Sequence, residues 1–499
     1  MKSIINKITL LFAALAVFSS CLNKTPGDYI PIDEGMASLT DAEQMVNGIY
    51  NTMKGGSLYT GALTLAPDLM ADFVYAVEGN SNAYFNLWKW DVRSDDQYIE
   101  SVYSGLYSVI GQCNYYLDKI GDLKAKMYDD EEIKALDALT GEVYFCRALA
   151  YSELLKCFCK AYEPATAKDE LGVVLATSYF NPAPKKRASL EESYALVLDD
   201  LKNADGLLDP DDNASNAVYA KNGAVHALWA RVALYMQDWK SAVEHATTVI
   251  ESGDYKLADC KNYYTQTQTY LDYLWQADAS YEIIFKLGFT STSYGSALGS
   301  IFLGFTRDYY YFYPDYVPGQ DFINLFNSND RRTDTYLSEQ QTGYSHQLKW
   351  PLLVKYYGNE SLIDLNIYHV SMPKPLRLAE TYLIRSEAYC RLGEFSKASN
   401  DINALRKNRF SNGSTVSLNE ENWLQNISDE RARELVMEGF RLHDLKRWHK
   451  GFERKPQSSC VADGSSLKIE PDNVFFVWPI PRNELEAPGS EIQPNESNR

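Results

Sequence analysis

Residues 430–448 read Glu430-Arg431-Ala432-Arg433-Glu434-Leu435-Val436-Met437-Glu438-Gly439-Phe440-Arg441-Leu442-His443-Asp444-Leu445-Lys446-Arg447-Trp448. Ser428-Asp429-Glu430, just upstream, is a helix-starting signal. Glu430 with Arg433 and Asp444 with Arg447 have the spacing that brings opposite charges together on a helix. Gly439 predicts a turn, and Leu442, Leu445 and Trp448, recurring every third residue, predict one apolar stripe against a core. Nucleophile and base are not paired with an orienting group in this stretch, so it reads as a structural charge lattice on packed helices rather than as an active site.

A second marker is the tail Trp478-Pro479-Ile480-Pro481-Arg482-Asn483-Glu484-Leu485. Together the two closely resemble the C-terminal signature of the SusD/RagB family. Glu430, Arg431, Glu434, Leu435, Glu438, Gly439, Arg441, Asp444, Leu445, Arg447 and Trp448 fill its places, while His443 stands where the family often has an aromatic residue and His449 where it often has glycine. Similar text recurs at Asn114 before Leu117, Gly141 to Ala150, Arg187 to Glu192, Glu282 to Phe285, Asp330 to Arg332 and Arg377 to Glu380. Because the order matches throughout, the resemblance covers essentially the whole mature chain. It implies an outer-membrane lipoprotein that captures an oligosaccharide or other oligomeric nutrient, without a covalent step, and delivers it to a TonB-dependent SusC-like transporter.

The amino terminus points to export on its own. Lys2 and Lys7 precede an apolar run from Ile8 to Phe18, followed by Ser19, Ser20 and Cys21. This is the layout of a signal peptide over 1–20, too short to span a bilayer. The cysteine after small residues resembles a lipobox, which implies lipidation of Cys21 and attachment through acyl chains; the alternative is an ordinary signal with a chance cysteine. Residues 21–38 read as a tether. An outward-facing lipoprotein is expected, but these residues lack the acidic cluster associated with surface export, so the leaflet stays open.

With 499 residues, 45% of them hydrophobic, the chain can bury a substantial core. Its net charge of -19 and pI near 4.9 argue against nucleic acid and anionic lipid as partners, and leave neutral ligands unpenalised. Of 8 cysteines, setting aside Cys21 leaves 7, an odd and scattered set that makes no disulfide framework. Cys157-x-Cys159 is too close for a zinc pair, so these thiols read as small buried hydrophobes and no cofactor is implied.

Helical apolar spacing runs through Asp41–Met53, Asp95–Ile120, Glu131–Cys159, Leu190–Leu208, Ala217–Ile250 and Leu376–Asn408. The last two each contain a turn and share one pattern: Ala230, Trp239, Ala242 and Ala246 align with Ser386, Phe395, Ala398 and Ile402 at equal gaps. This resembles the tetratricopeptide hairpin. The expected fold is therefore mainly α, a tetratricopeptide-like helical scaffold over about 39–260 and 371–450, with an irregular loop-rich subdomain containing short strands over about 261–370 and a tail over 451–499.

Within that subdomain Tyr281 to Leu287 predicts a buried strand, and Gly288 to Gly319 mostly loop. Tyr309-Tyr310-Tyr311-Phe312-Tyr313-Pro314-Asp315-Tyr316 is too dense a cluster to bury easily, because each hydroxyl needs a partner or water. A second aromatic stretch runs from Phe73 to Asp91 and contains Trp88 and Trp90. Flat rings with polar tips suit a sugar, whose C–H face stacks while its hydroxyls find donors and acceptors. Trp88, Trp90, Tyr309, Tyr310, Tyr311 and Tyr313 are thus the candidate ligand contacts, with core packing the alternative for the tryptophans. A glycosidase would need two carboxylates across a cleft; the pairs Asp95-Asp96, Asp199-Asp200 and Asp211-Asp212 sit in or beside helix ends expected to be solvated. A peptide or glycopeptide ligand, or a helical scaffold for protein partners, remains open beside glycan capture.

Overall fold

Small polar residues ahead of apolar-periodic runs start most of the first helices. In the computed structural model, which describes residues 35–209, 217–304, 311–344, 348–455 and 467–498, the Ser38 hydroxyl accepts from the Asp41 N–H at the head of α1 (Leu39–Met53). α2 (Ala62–Leu69) starts from Gly61 without a side-chain cap. Asp96 caps α3 (Gln97–Lys124), Asp129 caps α4 (Asp130–Phe158), and Ser189 with Glu192 closes a reciprocal capping box on α5 (Leu190–Asp205). One acidic pair departs from its expected solvation: Asp200, on the inner face of α5, is fully buried and paired with Arg147 at 2.6 Å. Asp211 and Asp212 lie outside the described residues.

The fold is mainly α, and the two repeated segments are helical hairpins. α6 (Asn222–Tyr235) turns at Gln237 into α7 (Trp239–Glu251). After α8 (Tyr270–Gln276) the chain forms the second pair, α9 (Leu378–Arg391) and α10 (Phe395–Lys407), which turns at Gly393. Gln237 and Gly393 are equivalent positions and both adopt left-handed backbone, φ 60° and 77°. Ala230, Ala242 and Ala246 pack with Ile384 and Ala388 in one buried cluster, which lets α7 lie closely against α9. In the second hairpin the Ser386 hydroxyl donates to the Ala398 carbonyl at 2.8 Å, so its polar atom is satisfied inside the helix pair.

The charged signature spans α11 (Trp423–Glu434) and α12 (Arg441–Arg447). α11 begins a turn earlier than Ser428 suggested, because Trp423, Leu424 and Ile427 pack onto the cluster beneath α9 and α10 and extend the helix. Ser428 is interior, and its hydroxyl accepts from Arg441 Nη1 at 2.9 Å instead of capping. Gly439 has φ 82° and donates its N–H to Asp68, making the expected turn between α11 and α12.

Along α11 the carboxylates at 430 and 434, with Glu438 in the turn, face a set of buried arginines. Glu434 accepts from Arg377 and Arg409 through Oε1 at 3.0 and 2.9 Å, and from Arg409 Nε and Arg332 through Oε2 at 2.9 and 3.2 Å. Glu430 pairs with Arg332, Arg406 and Arg433 at 2.7, 2.7 and 2.6 Å. Glu282 accepts from Arg377 at 2.6 Å and Arg409 at 2.8 Å. Burial by itself would raise the Glu434 carboxyl, but Arg409 and Arg377 hold it well below the usual carboxylate range. Desolvating these groups is costly, and only bidentate, multiply bonded geometry offsets the cost.

This lattice has a place in the architecture. Of eight strands, paired as four two-stranded antiparallel ladders among the described residues, β2 (Ile283–Phe285) pairs with the short strand Leu376–Arg377. The segment 261–370 therefore leaves the scaffold after α7 and rejoins it at α9 beside its own point of departure. Glu282, Asp330 and Arg332 come from that segment, whereas Arg377, Arg409, Glu430 and Glu434 come from the ladder's far side and the C-terminal helices, so the ions lock one to the other. The tail completes the core: Trp478 is fully buried, its ring edge-on to Phe158 at 5.9 Å, and its backbone N–H donates to the Cys157 carbonyl at 2.9 Å. Helices among the described residues that are long and apolar enough to cross a membrane are lacking.

Candidate functional site

β1 (Val74–Ala76) finds its partner far along the chain in β3 (Tyr316–Pro318), with Val74 opposite Pro318, Tyr75 opposite Val317 and Ala76 opposite Tyr316. This pairing sets the loop 77–84 beside the segment 311–315, so the two aromatic stretches singled out from sequence meet. Beyond the ladder the Val77 N–H donates to the Asp315 carbonyl at 2.8 Å. The Asp315 carboxylate accepts from the Ser81 N–H and hydroxyl, each at 2.6 Å. With both oxygens engaged and only 8% of the residue exposed, Asp315 braces the loop.

A third segment closes the site. The Phe312 N–H donates to the Gln341 carbonyl at 3.0 Å and the Gly343 N–H to the Phe312 carbonyl at 3.1 Å. The Tyr313 ring lies directly on Gly343: a β-carbon there would sit 2.2 Å from the ring, so only glycine leaves the ring in place. Tyr344 stands edge-on to Tyr313 at 5.4 Å and 74°. Burial, and then the Asp315 charge, push the Tyr344 hydroxyl up to about 12, which keeps it a donor, here to the Pro314 carbonyl at 2.9 Å. Alongside, Gln340, Gln341, Thr342, Lys349 and Trp350 line a cleft of about 470 Å³. Trp350 is half-buried, and its ring is fixed by an N–H donated to the Pro318 carbonyl at 2.6 Å. The arrangement offers oriented rings, amides and hydroxyls on backbone held by a ladder and a carboxylate brace. It can hold an uncharged polar ligand.

Of the candidate contacts named from sequence, Tyr311 and Tyr313 lie at this meeting point, Tyr311 with 40% of its surface exposed. Tyr309 and Tyr310 lie outside the described residues, as do Cys21 and the amino-terminal export signal. Trp88 and Trp90 require correction. Trp88 is fully buried, its N–H donates to the Val74 carbonyl at 3.1 Å, and the Arg454 guanidinium covers its ring at 5.0 Å. Trp90 donates to the Met70 carbonyl at 2.7 Å and stands edge-on to Phe476 at 5.2 Å. The short helix Phe85–Trp88 turns Trp88 inward, and Trp90, in left-handed backbone at φ 64°, also points to the core. Neither has a face left for a ligand: Trp88 packs beneath β1 and β3 through Val74 and Tyr316, and Trp90 packs against Phe452 and Phe476. Tyr344, Trp350, Gln341 and Ser81 escaped sequence reasoning. The polar run Gln340-Gln341-Thr342-Gly343-Tyr344, an aromatic directly after glycine, was the available signal.

The expected thiol role is met at six positions: Cys113, Cys146, Cys157, Cys159, Cys260 and Cys390 are free and buried. Cys460 lies outside the described residues.

Comparison with known proteins bears on the same geometry. Residues 305–493 match the family described as the SusD family, and residues 29–234 match one described as "starch-binding associating with outer membrane". The chain is 26% identical to SusD-like protein P2 of Formosa agariphila over 98% of both chains, and 23% identical to SusD-like protein P25 of that organism over 89% of both. Among solved structures, a SusD superfamily protein of Bacteroides thetaiotaomicron superposes with a TM-score of 0.78 at 25% identity, covering 92% of this chain and 99% of that one. A SusD-like carbohydrate binding protein of Bacteroides vulgatus, 20% identical, shares the fold with a TM-score of 0.72, covering 90% of this chain and 96% of that one. The two matched regions contain, respectively, the charged lattice apart from Glu282 together with the 311–315 and 339–350 segments, and the β1 strand with its loop: this chain belongs to the SusD/RagB family.

Proposed function

We propose that this chain binds an oligosaccharide or polysaccharide nutrient without chemical change and passes it to a TonB-dependent SusC-like transporter in the outer membrane, to which the chain is tethered through acylated Cys21. The observation that carries the reading is the β1–β3 pairing, which gathers Tyr311, Tyr313, Tyr344, Ser81 and Gln341 from three separate segments into one aromatic and polar surface. A sugar ring needs that combination, a flat apolar face with donors and acceptors around it. The description of the family matched by residues 29–234, starch-binding in association with the outer membrane, supports both the ligand class and the location. A net charge of -19 favours a neutral ligand over an anionic one. A broad face of the helical scaffold is the natural surface for the transporter.

Titration calorimetry of the soluble chain from Leu22 onward, with neutral hexaoses of glucose, xylose, mannose and galactose and with peptides, tests the reading. Saturable glycan binding with no breakdown product, weakened about tenfold per ring by Tyr313→Ala and Tyr344→Ala, is the expected result. Peptide binding with glycan silence would move the ligand class to peptides, and release of sugar would make the protein an enzyme.

A further inference from the structure

A second cluster of exposed rings lies on a different segment. Past α7 the chain forms a small hairpin in which Tyr263 bridges to Thr269 and the Tyr264 N–H donates to the Gln268 carbonyl at 2.8 Å. The hairpin runs straight into α8, whose start is fixed by a reciprocal capping box between Thr269 and Asp272. This geometry stacks Tyr264 on Tyr273, ring centres 3.7 Å apart and 26° from parallel, and sets Tyr270 edge-on to Tyr264 at 5.7 Å. Opposite them the segments 256–259 and 279–281 are joined by the Lys256 N–H donating to the Tyr281 carbonyl at 3.0 Å. Between the two sides lies a cleft of about 570 Å³.

Three of the cleft's rings face solvent: Tyr264 is 50% exposed, Tyr270 44% and Tyr281 58%. Rings left in water usually sample many rotamers, but here the stacked Tyr264 and Tyr273 constrain each other, so part of the ordering cost of binding has already been met. Asn262 supplies an amide at the rim, its Nδ2 donating to Asp259 Oδ2 at 2.5 Å. Flat, oriented rings with an amide and hydroxyls at the edge match a pyranose ring, and the overall negative charge disfavours an acidic peptide or a phosphorylated ligand.

We infer that the Tyr264–Tyr270–Tyr281 cleft is a second, independent site for a neutral oligosaccharide. It rests on the reading of the chain as a glycan binder, but it shares no lining residue with the surface made by the 77–84, 311–315 and 339–350 segments. Two sites on one chain would let a single polysaccharide strand be gripped at two points, converting modest affinities into retention.

The test uses the soluble chain from Leu22 onward, the same four neutral hexaoses, and two double variants, Tyr264→Ala with Tyr270→Ala and Tyr313→Ala with Tyr344→Ala, plus their combination. Tyr264 and Tyr270 are about half exposed, so their removal should leave the fold intact, which the melting temperature verifies. Two equivalents of hexaose bound by the parent, one by each double variant and none by the combination, is the expected result. A cleft variant that binds with unchanged stoichiometry and affinity overturns the second site while leaving glycan capture standing. Loss of all binding in the cleft variant, with none lost in the other, keeps the cleft and removes the loop surface from the proposed function. Silence of the parent toward every hexaose at millimolar concentration removes both.

Discussion

Glu434→Ala is the sharpest perturbation of the structural lattice. The substitution removes four hydrogen bonds from three buried guanidiniums, those of Arg332, Arg377 and Arg409, which are exposed by no more than 1%. Each arginine keeps another acid: Arg332 keeps Asp330 at 2.6 Å, Arg377 keeps Glu282 at 2.6 Å, and Arg409 keeps Glu282 at 2.8 Å. The loss is therefore that of breaking one member of a buried ionic set, about 3–5 kcal/mol, rather than a stranded charge at each arginine. Unfolding 499 residues carries an entropy of about 1 kcal/mol/K, from ~2.1 cal/mol/K per residue, so the midpoint should fall by about 3–5 °C if the chain melts as one unit. Thermal melting for the midpoint and urea unfolding for the free energy, both followed by circular dichroism, are the assays, with Glu434→Gln as the shape-preserving control. Glutamine can accept on one side but points an NH2 at a guanidinium on the other, so it should lose at least about 3 kcal/mol as well. A loss below about 1 kcal/mol in both variants would refute the reasoning, since it would mean the lattice contributes no more than an exposed ion pair.

Other consequences are as direct. Burial would raise the Glu387 carboxyl, but Arg447, bonded through both its terminal nitrogens at 2.6 and 2.7 Å, and the Trp448 N–H hold it down to about 2. A depressed carboxyl stabilises the fold above its unfolded pKa of ~4.3 and loses that contribution as pH falls toward 2. Melting curves between pH 5 and pH 2 should thus decline less steeply for Glu387→Gln than for the parent, from a lower starting point; parallel curves would show that Glu387 is not titrating there. Tyr50→Phe takes a 2.5 Å donor from Glu142 and an acceptor from the Ala220 N–H, both buried, for a loss of about 1–3 kcal/mol. Burial already pushes Glu142 up to about 7 despite that donor, so the loss should be larger at pH 8 than at pH 5.5; equal losses would contradict this. Ellman's reagent should leave the six buried thiols of the native chain unmodified and reach all of them only after unfolding, because burial pushes their pKa up, to about 12 for Cys157 and Cys390.

The long helices α1, α3, α4 and α5 were legible because each is written locally. Ser38, Asp96, Asp129 and Ser189 stand where caps belong, and the apolar period follows within one turn. The paired hairpins were legible for a related reason: Ala230 and Ser386, Trp239 and Phe395, Ala242 and Ala398 keep their spacing because both copies solve one packing problem. The start of α11 was misjudged since Ser428 looks like a cap only until the core beneath Trp423 and Ile427 is known.

What the sequence alone determined was the charged signature, the repeats, the acidic balance and an aromatic supply large enough for a binding surface. The tertiary structure decided which rings serve it. Trp88 and Trp90 have the same composition on paper as ligand-stacking rings, yet Arg454, Phe452 and Phe476 arrive from more than 350 residues downstream and seal them inside. Tyr313 and Tyr344 become a pair only because β3 lies against β1 and Gly343 leaves room for a ring. Tyr264 and Tyr273 stack because a capped helix follows a hairpin, with nothing in their flanking residues to announce it. Burial is a property of what the rest of the chain places around a side chain, so no local pattern can separate a core tyrosine from one that meets a ligand.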